Sequence, residues 1–224
     1  MLVASLFIAE AKPLKNPQNF SQAKRIIKMF HYDYMQTTFS KIDFYYDPYK
    51  CMSVSLPITV KWMKIVPPSF FARDKKCWNE SICEKWNKKL YSGARCCRKV
   101  DKEYQVMDAD LHNIVPVTQE FLQTRQDFMF TTVTEPDQVL YKTKINSVNK
   151  TVEPVDDLKG DIARIYLYMN EKYSLGLSEK QRTLYLQWHH SDPVSKKECG
   201  LHKKVFKLQG TINSYVQSSC KKAK

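Results

Sequence analysis

The chain has 224 residues, 43% of them hydrophobic and 26% charged, which suits one domain, or one domain with a helical extension, and supplies enough apolar residues for a real core. Thirty-six Lys and Arg stand against 23 Asp and Glu, a formal net charge of +13. That balance selects polyanionic partners: nucleic acid, anionic membrane or acidic glycan.

Residues 1–11, MLVASLFIAEA, are apolar through Ala9 and close on the small-x-small pattern Ala9-Glu10-Ala11. They resemble a secretory signal in h-region and cleavage site, though without a basic n-region. We therefore expect 1–11 to be a signal peptide, 12–224 a single domain, and the protein secreted or periplasmic. No other apolar run approaches the roughly 18 residues a membrane span needs, so no span is expected. None of the seven cysteines (Cys51, Cys77, Cys83, Cys96, Cys97, Cys199, Cys220) sits in a CxxC pair, which argues against zinc. Export would oxidise them, and an odd count leaves one unpaired or bonded to another chain.

Ser21 is the expected N-cap of a helix through AKRIIKMF, where Ile26, Ile27 and Phe30 recur at helical spacing. Residues 42–66 read as aromatic strands broken at Asp47-Pro48, and they end in VKWMKIVPP, where Pro67-Pro68 stop the ladder. The stretch 73–102 is basic and cysteine-rich, with Lys85, Lys88, Lys89, Arg95, Arg98, Lys99 and Lys102 against Glu84 and Asp101 within 84–102. MDADLHNIVP (107–116) reads as a short strand closed by proline, and 117–130 as helical at first, with Phe121 and Leu122 as apolar positions. Residues 131–160 should be loops and short strands. Three helices follow: one from near Asp161, one with a capping box of Ser178 and Gln181, and one opening at Asp192-Pro193 and stopping near Gly210.

There is no GxSxG, GxxxxGK[ST] or HExxH. His189-His190 are adjacent, so on a helix their side chains point about 100° apart and make a poor metal pair. His31 and His202 have no evident partner. His112-Asn113, inside DLHN, is the best-placed polar pair.

The ordered run FSQAKRIIKMF, VKWMKIVPPSFF, CW, MDADLHNIVPV, GDIARIYLYMNEKY, LSEKQR, WHHSDPV and LQGTINSYVQSSC resembles bacterial endonuclease I over roughly residues 19–220. The resemblance implies an α+β fold with a ββα-metal (His-Me finger) core surrounded by helices. It also implies a periplasmic or secreted nuclease. In that family the first active-site strand reads Trp-Glu-His-Val-Val-Pro: the histidine activates water, and the glutamate binds Mg²⁺ together with an asparagine on the following helix. In this register the glutamate position is Met63, the histidine position Lys64 and the asparagine position Leu122, while the family arginine survives as Arg125. A second family arginine falls on Ala94, beside Arg95. Thioether and alkyl groups are poor partners for a hard cation. A charged Lys64 suits a phosphate and cannot act as a base.

The same resemblance implies the disulfides Cys77–Cys97 and Cys199–Cys220. It leaves Cys83 and Cys96 to pair with each other, and Cys51 unpaired or bonded to an unknown protein partner.

The expected function is therefore a catalytically degenerate relative that binds DNA or RNA through the phosphate backbone. Lys61, Lys64, Arg95, Arg98, Lys99, Arg125, His112 and Asn113 would contact nucleic acid, and Trp62, Trp86 or Tyr91 would stack on bases. No cofactor is expected, and Mg²⁺ only in an active form. The alternatives are an active metal-dependent non-specific endonuclease with relocated catalytic residues, and an exported protein-interaction module on a nuclease scaffold.

Overall fold

The computed structural model describes residues 17–30, 35–47, 52–54 and 59–220. The expected signal peptide and Cys51 lie outside the described residues. Helix α1 (Phe20–Phe30) buries Ala23, Ile26 and Ile27 against Ala109, Leu111, Ile114 and Val205. Its cap is Asn19, whose side chain accepts from the Gln22 N–H at 3.0 Å, so Ser21 sits inside the first turn instead of preceding it. Asn and Ser cap about equally well, and the chain uses the earlier one.

Strands β1 (Met35–Gln36), β2 (Asp43–Asp47) and β3 (Met52–Val54) form an antiparallel sheet in that order. Next come β4 (Val60–Lys64), α2 (Pro68–Phe71), α3 (Lys76–Asn79), the hairpin β5 (Cys83–Glu84) and β6 (Leu90–Tyr91), α4 (Ala94–Val100) and α5 (Lys102–Asp108). A 3₁₀ turn at Leu111–Asn113 leads into β7 (Ile114–Thr118) and α6 (Gln119–Arg125). The strand expected from residue 107 thus starts at Ile114, because Asp101 caps α5 and carries the helix through Asp108. Pro116 lies within β7 instead of closing it, and its carbonyl accepts from Thr38.

Strands β4 and β7 pair antiparallel, Val60 opposite Thr118 and Lys64 opposite Ile114. Thr118 then caps α6 by accepting from the Phe121 N–H at 3.2 Å. The result is a two-stranded hairpin with a helix following directly, a ββα unit.

Strands β8 (Met129–Phe130), β9 (Gln138–Leu140), β10 (Thr143–Asn146) and β11 (Thr151–Glu153) make a second sheet ordered β8-β11-β10-β9. The helices α7 (Asp156–Tyr173), α8 (Glu179–Ser191), α9 (Lys196–Gln209) and α10 (Ser214–Cys220) complete the chain. Helix α7 begins five residues before the expected Asp161: Asp156 and Asp157 favour a helix N-terminus, and the helix runs on through Gly160. A side chain at Gly160 would collide with the carbonyl oxygen of Asp192, so glycine permits α7 and the end of α8 to touch. The Ser178–Gln181 capping box is present. Helix α9 is capped by Ser195, with its own capping box to Glu198, instead of by Asp192, and it ends at Gly210 in the left-handed region.

The main core joins the β4–β7 pair and the four-stranded sheet to α6, α7 and α8. Phe39 stacks on Phe121 at 4.0 Å between ring centroids and on Phe130 at 5.6 Å. Disulfides join Cys77 to Cys97, Cys83 to Cys96 and Cys199 to Cys220, the expected pairing. No described helix is long and apolar enough to cross a membrane.

Candidate nucleic-acid interface and the buried ion pair beside it

Side chains alternate along β4, so Trp62 and Lys64 face one side of the hairpin while Lys61 and Met63 face the other. Met63 is buried in the main core, and Leu122 on α6 packs against the same cluster. Across the strand, Trp62 packs against the smaller cluster beneath α1. Met63 and Lys64 are thus both buried, on opposite sides of the strand, with Leu122 on the Met63 side.

Lys64 is buried. Its Nζ lies 2.9 Å from Asp108 Oδ1, and the other carboxylate oxygen accepts from Arg98 Nε at 2.7 Å. Asp108, at the end of α5, is fully buried and so carries two cations. Phe20, the first residue of α1, covers the pair: its ring centroid is 3.3 Å from Lys64 Nζ and 5.3 Å from the Arg98 guanidinium carbon. Burial pulls the Lys64 pKa down to about 8, against the opposing pull of Asp108. Arg98 is held above its ordinary value, chiefly by its hydrogen bond to Asp108. Neither Asp108 nor Phe20 was singled out from the sequence, although Asp108 stands two residues before DLHN.

Three other expected nucleic-acid ligands are engaged inside the fold. Arg125 is buried and donates to the carbonyls of Lys64 (2.9 Å) and Ile65 (2.7 Å), clamping the end of β4. Asn113 is buried and grips Val66 from both sides, accepting from its N–H at 2.7 Å and donating to its carbonyl at 3.0 Å. His112 Nε2 lies 3.2 Å from the Thr211 carbonyl, with its ring against Tyr168 and His202. Burial holds His112 below its ordinary pKa, against the pull of Asp110. Asp110, which sequence reasoning also passed over, is the hub here: its carboxylate accepts from Tyr168, Lys172, Tyr173 and Gln209 at 2.6–2.8 Å.

The exposed basic residues gather elsewhere. Arg95, Arg98 and Lys99 on α4, with Lys85 of the β5–β6 turn, line an open groove whose wall includes Tyr91 and Trp86. Arg95 stacks its guanidinium over Tyr91, 5.5 Å from the ring centroid. Cys83–Cys96 and Cys77–Cys97 anchor the hairpin and α3 to successive residues of α4, so the groove is braced. Lys61, half-buried on the opposite side of β4 from Lys64, is not among the residues lining it.

The positions corresponding to metal ligands do not fit Mg²⁺. A hard cation wants several oxygen ligands. Here a buried thioether and a leucine occupy the two ligand positions, and an ammonium stands at the neighbouring position of the base. No cluster of three or more His, Cys, Asp or Glu suited to a metal occurs among the described residues.

The fold and its three disulfides define an exported α+β protein built around a ββα unit. The family model for Endonuclease I matches residues 18–220. Among curated proteins the chain is 34% identical to an Endonuclease-1 of Buchnera aphidicola from Acyrthosiphon pisum over 73% of this chain and 61% of that protein. It is 36% identical to an Endonuclease-1 of Buchnera aphidicola from Baizongia pistaciae over 73% of this chain and 63% of that one. An extracellular deoxyribonuclease of Aeromonas hydrophila is 31% identical over 72% of this chain and 66% of its own length. The chain belongs to the endonuclease I family. It spans somewhat under two thirds of the length of these relatives.

Proposed function

We propose that this protein is an exported member of the endonuclease I family that binds nucleic-acid phosphates through the groove beside α4 and does not cleave by the family's metal-dependent route. The observation that carries the second half is Lys64, fixed to Asp108 beneath Phe20 at the position where the family places its base. Below about pH 8 this ammonium, its protons committed to a carboxylate, has no lone pair to offer water, and at any pH a phenyl ring denies water the approach. The first half rests on charge. Arg95, Arg98 and Lys99 succeed one another on a short helix, and the names of the relatives (extracellular and periplasmic deoxyribonucleases) point to DNA as the polyanion.

Purified protein with Mg²⁺ should leave plasmid DNA and RNA intact while binding both in a salt-sensitive way. With about five phosphate contacts, log K against log[salt] should slope near −4 to −5 on duplex DNA, from about −0.9 per contact. Arg95→Ala and Lys99→Ala should each flatten that slope by about one unit. Lys64→Ala should leave the slope alone, since its ammonium is committed to Asp108. Robust Mg²⁺-dependent cleavage abolished by Lys64→Ala would overturn the proposal and make Lys64 catalytic.

A further inference from the structure

Trp86 is 95% exposed, an unusual state for the largest apolar side chain. It is not on a floppy tip. The turn between β5 and β6 is closed by hydrogen bonds from the Lys85 N–H to the Lys89 carbonyl and from the Lys88 N–H to the Lys85 carbonyl, each at 3.0 Å. Lys88 adopts a φ of 63°, and its ammonium pairs with Glu84 at 3.2 Å. The base of the hairpin is bonded to α4 through Cys83–Cys96. The backbone that carries the indole is thus held in place, so binding has only the side chain itself to order.

Its neighbours specify what would cover it. Lys85, Arg95 and Lys99 line the same groove, so an occupant that covers the indole also meets three cations. Tyr91 is already stacked under Arg95, which leaves Trp86 as the aromatic face in the groove without such a cover. A flat π-surface beside cations spaced along a helix fits a nucleotide: the base on the indole, flanking phosphates on the cations. A base in a duplex is stacked on both faces, and opening a step costs a few kcal/mol. A base in a single strand offers its face at little cost.

We propose that Trp86 is a base-stacking platform that makes the groove prefer single-stranded or locally unpaired nucleic acid over duplex. This rests on the phosphate-binding reading above and adds a site that reads bases.

The test compares a short oligothymidylate with an abasic oligodeoxyribonucleotide of the same length, which keeps the phosphates and removes the bases. Wild-type protein should bind the oligothymidylate more tightly. Trp86→Ala should weaken that binding by roughly 5- to 150-fold, the range of base–aromatic stacking, and leave abasic binding and both salt slopes unchanged. Trp86→Phe should recover most of the loss. An unchanged preference in Trp86→Ala, with abasic binding intact, overturns the stacking role while sparing the phosphate groove. Absence of binding to both oligomers and to duplex at low salt overturns both. Trp86-dependent binding to phosphatidylglycerol vesicles, with the oligothymidylate preference unchanged, would assign the indole to a lipid surface and likewise overturn the proposal.

Discussion

Lys64 Nζ and Asp108 Oδ1 meet at 2.9 Å with their side chains 6% and 0% exposed, and Arg98 completes the carboxylate from the groove side. The pair connects the strand that carries the family's catalytic positions to the helix before DLHN, and through Arg98 to the proposed binding face. Removing one member strands the other. Asp108→Ala should destabilise the fold by about 3–5 kcal/mol, the usual cost of leaving a buried charge unpaired. Lys64→Met should cost far less, since Arg98 remains on Asp108 and the methionine fits beneath Phe20. Urea titration of both variants checks the asymmetry; equal losses would refute it.

The depressed pKa of Lys64 makes stability depend on pH in a definite direction. The unfolded lysine titrates near 10.5 and the folded one near 8. Between those values the native state has lost a proton that the unfolded chain still holds, so the unfolded state binds more protons and stability rises with pH. Below pH 8 both forms are protonated and this penalty is constant. Melting curves of the wild type and Lys64→Met between pH 8 and 10.5, with Cys51→Ser in both to limit thiol exchange, should converge or cross as the wild type gains. Parallel curves would show that Lys64 keeps an ordinary pKa.

Asp110 behaves oppositely. Burial alone would raise its pKa, but Lys172, His112 and the hydrogen bond from Gln209 hold it below the usual 3.8. Its contribution is therefore fully present above about pH 4 and is lost as pH falls through the lower folded value. Asp110→Asn should remove that part of the acid sensitivity and loosen the packing of α7 and α9 around Asp110. Hydrogen exchange at the Leu111 amide, bonded to Gln209 Oε1 at 2.7 Å, reports on it directly.

The Ser178–Gln181 cap, the disulfides and the ββα pairing were legible because they depend on local chemistry or on ordered motifs: Ser178–Gln181 is a reciprocal bond within one turn, and VKWMKIVPP followed by DLHNIVP carries the two strands that pair. The role of the polar residues was not legible. Arg125 and Asn113 look like ligands in one dimension, yet each finds backbone groups some 47 to 61 residues away. A sequence shows that a charge exists; whether it is exposed depends on which distant element covers it. Lys64 illustrates this, since its cover is Phe20, 44 residues earlier at the start of α1. The shifted start of α9 has a simpler cause: Asp192 and Ser195 are both competent caps, and the chain uses the later one.

The hairpin that carries Trp86 depends on its disulfides. Cys83→Ser with Cys96→Ser should lower stability by about 2–5 kcal/mol, as expected for loss of a native bridge in a small exported domain. Cys77–Cys97 remains in that variant, so α4 stays attached to α3 while the hairpin is released. Peptide mapping of the wild type under non-reducing conditions should recover the three pairs, and recovery of free Cys83 would refute the bracing.

The last prediction tests whether positions 63 and 122 still form a ligand site. Met63→Glu alone places a carboxylate in an apolar core and should be destabilising by several kcal/mol, or survive only with the acid protonated. In the combination Met63→Glu, Lys64→His, Leu122→Asn, two oxygen donors would face the same core cluster from β4 and α6, a start on the environment a hard cation needs. Mg²⁺ should then raise the melting temperature with rising concentration, because an ion that binds only the native state stabilises it by mass action. The wild type should show no such rise. Cleavage demands more, since the imidazole at 64 would still lie beneath Phe20 and beside Asp108; adding Phe20→Ala should open it to water and bring measurable Mg²⁺-dependent nicking of plasmid. A melting temperature of the triple variant that ignores Mg²⁺ would show that these positions no longer converge on one ion, and that the scaffold, beyond its three side chains, has left the metal-binding geometry behind.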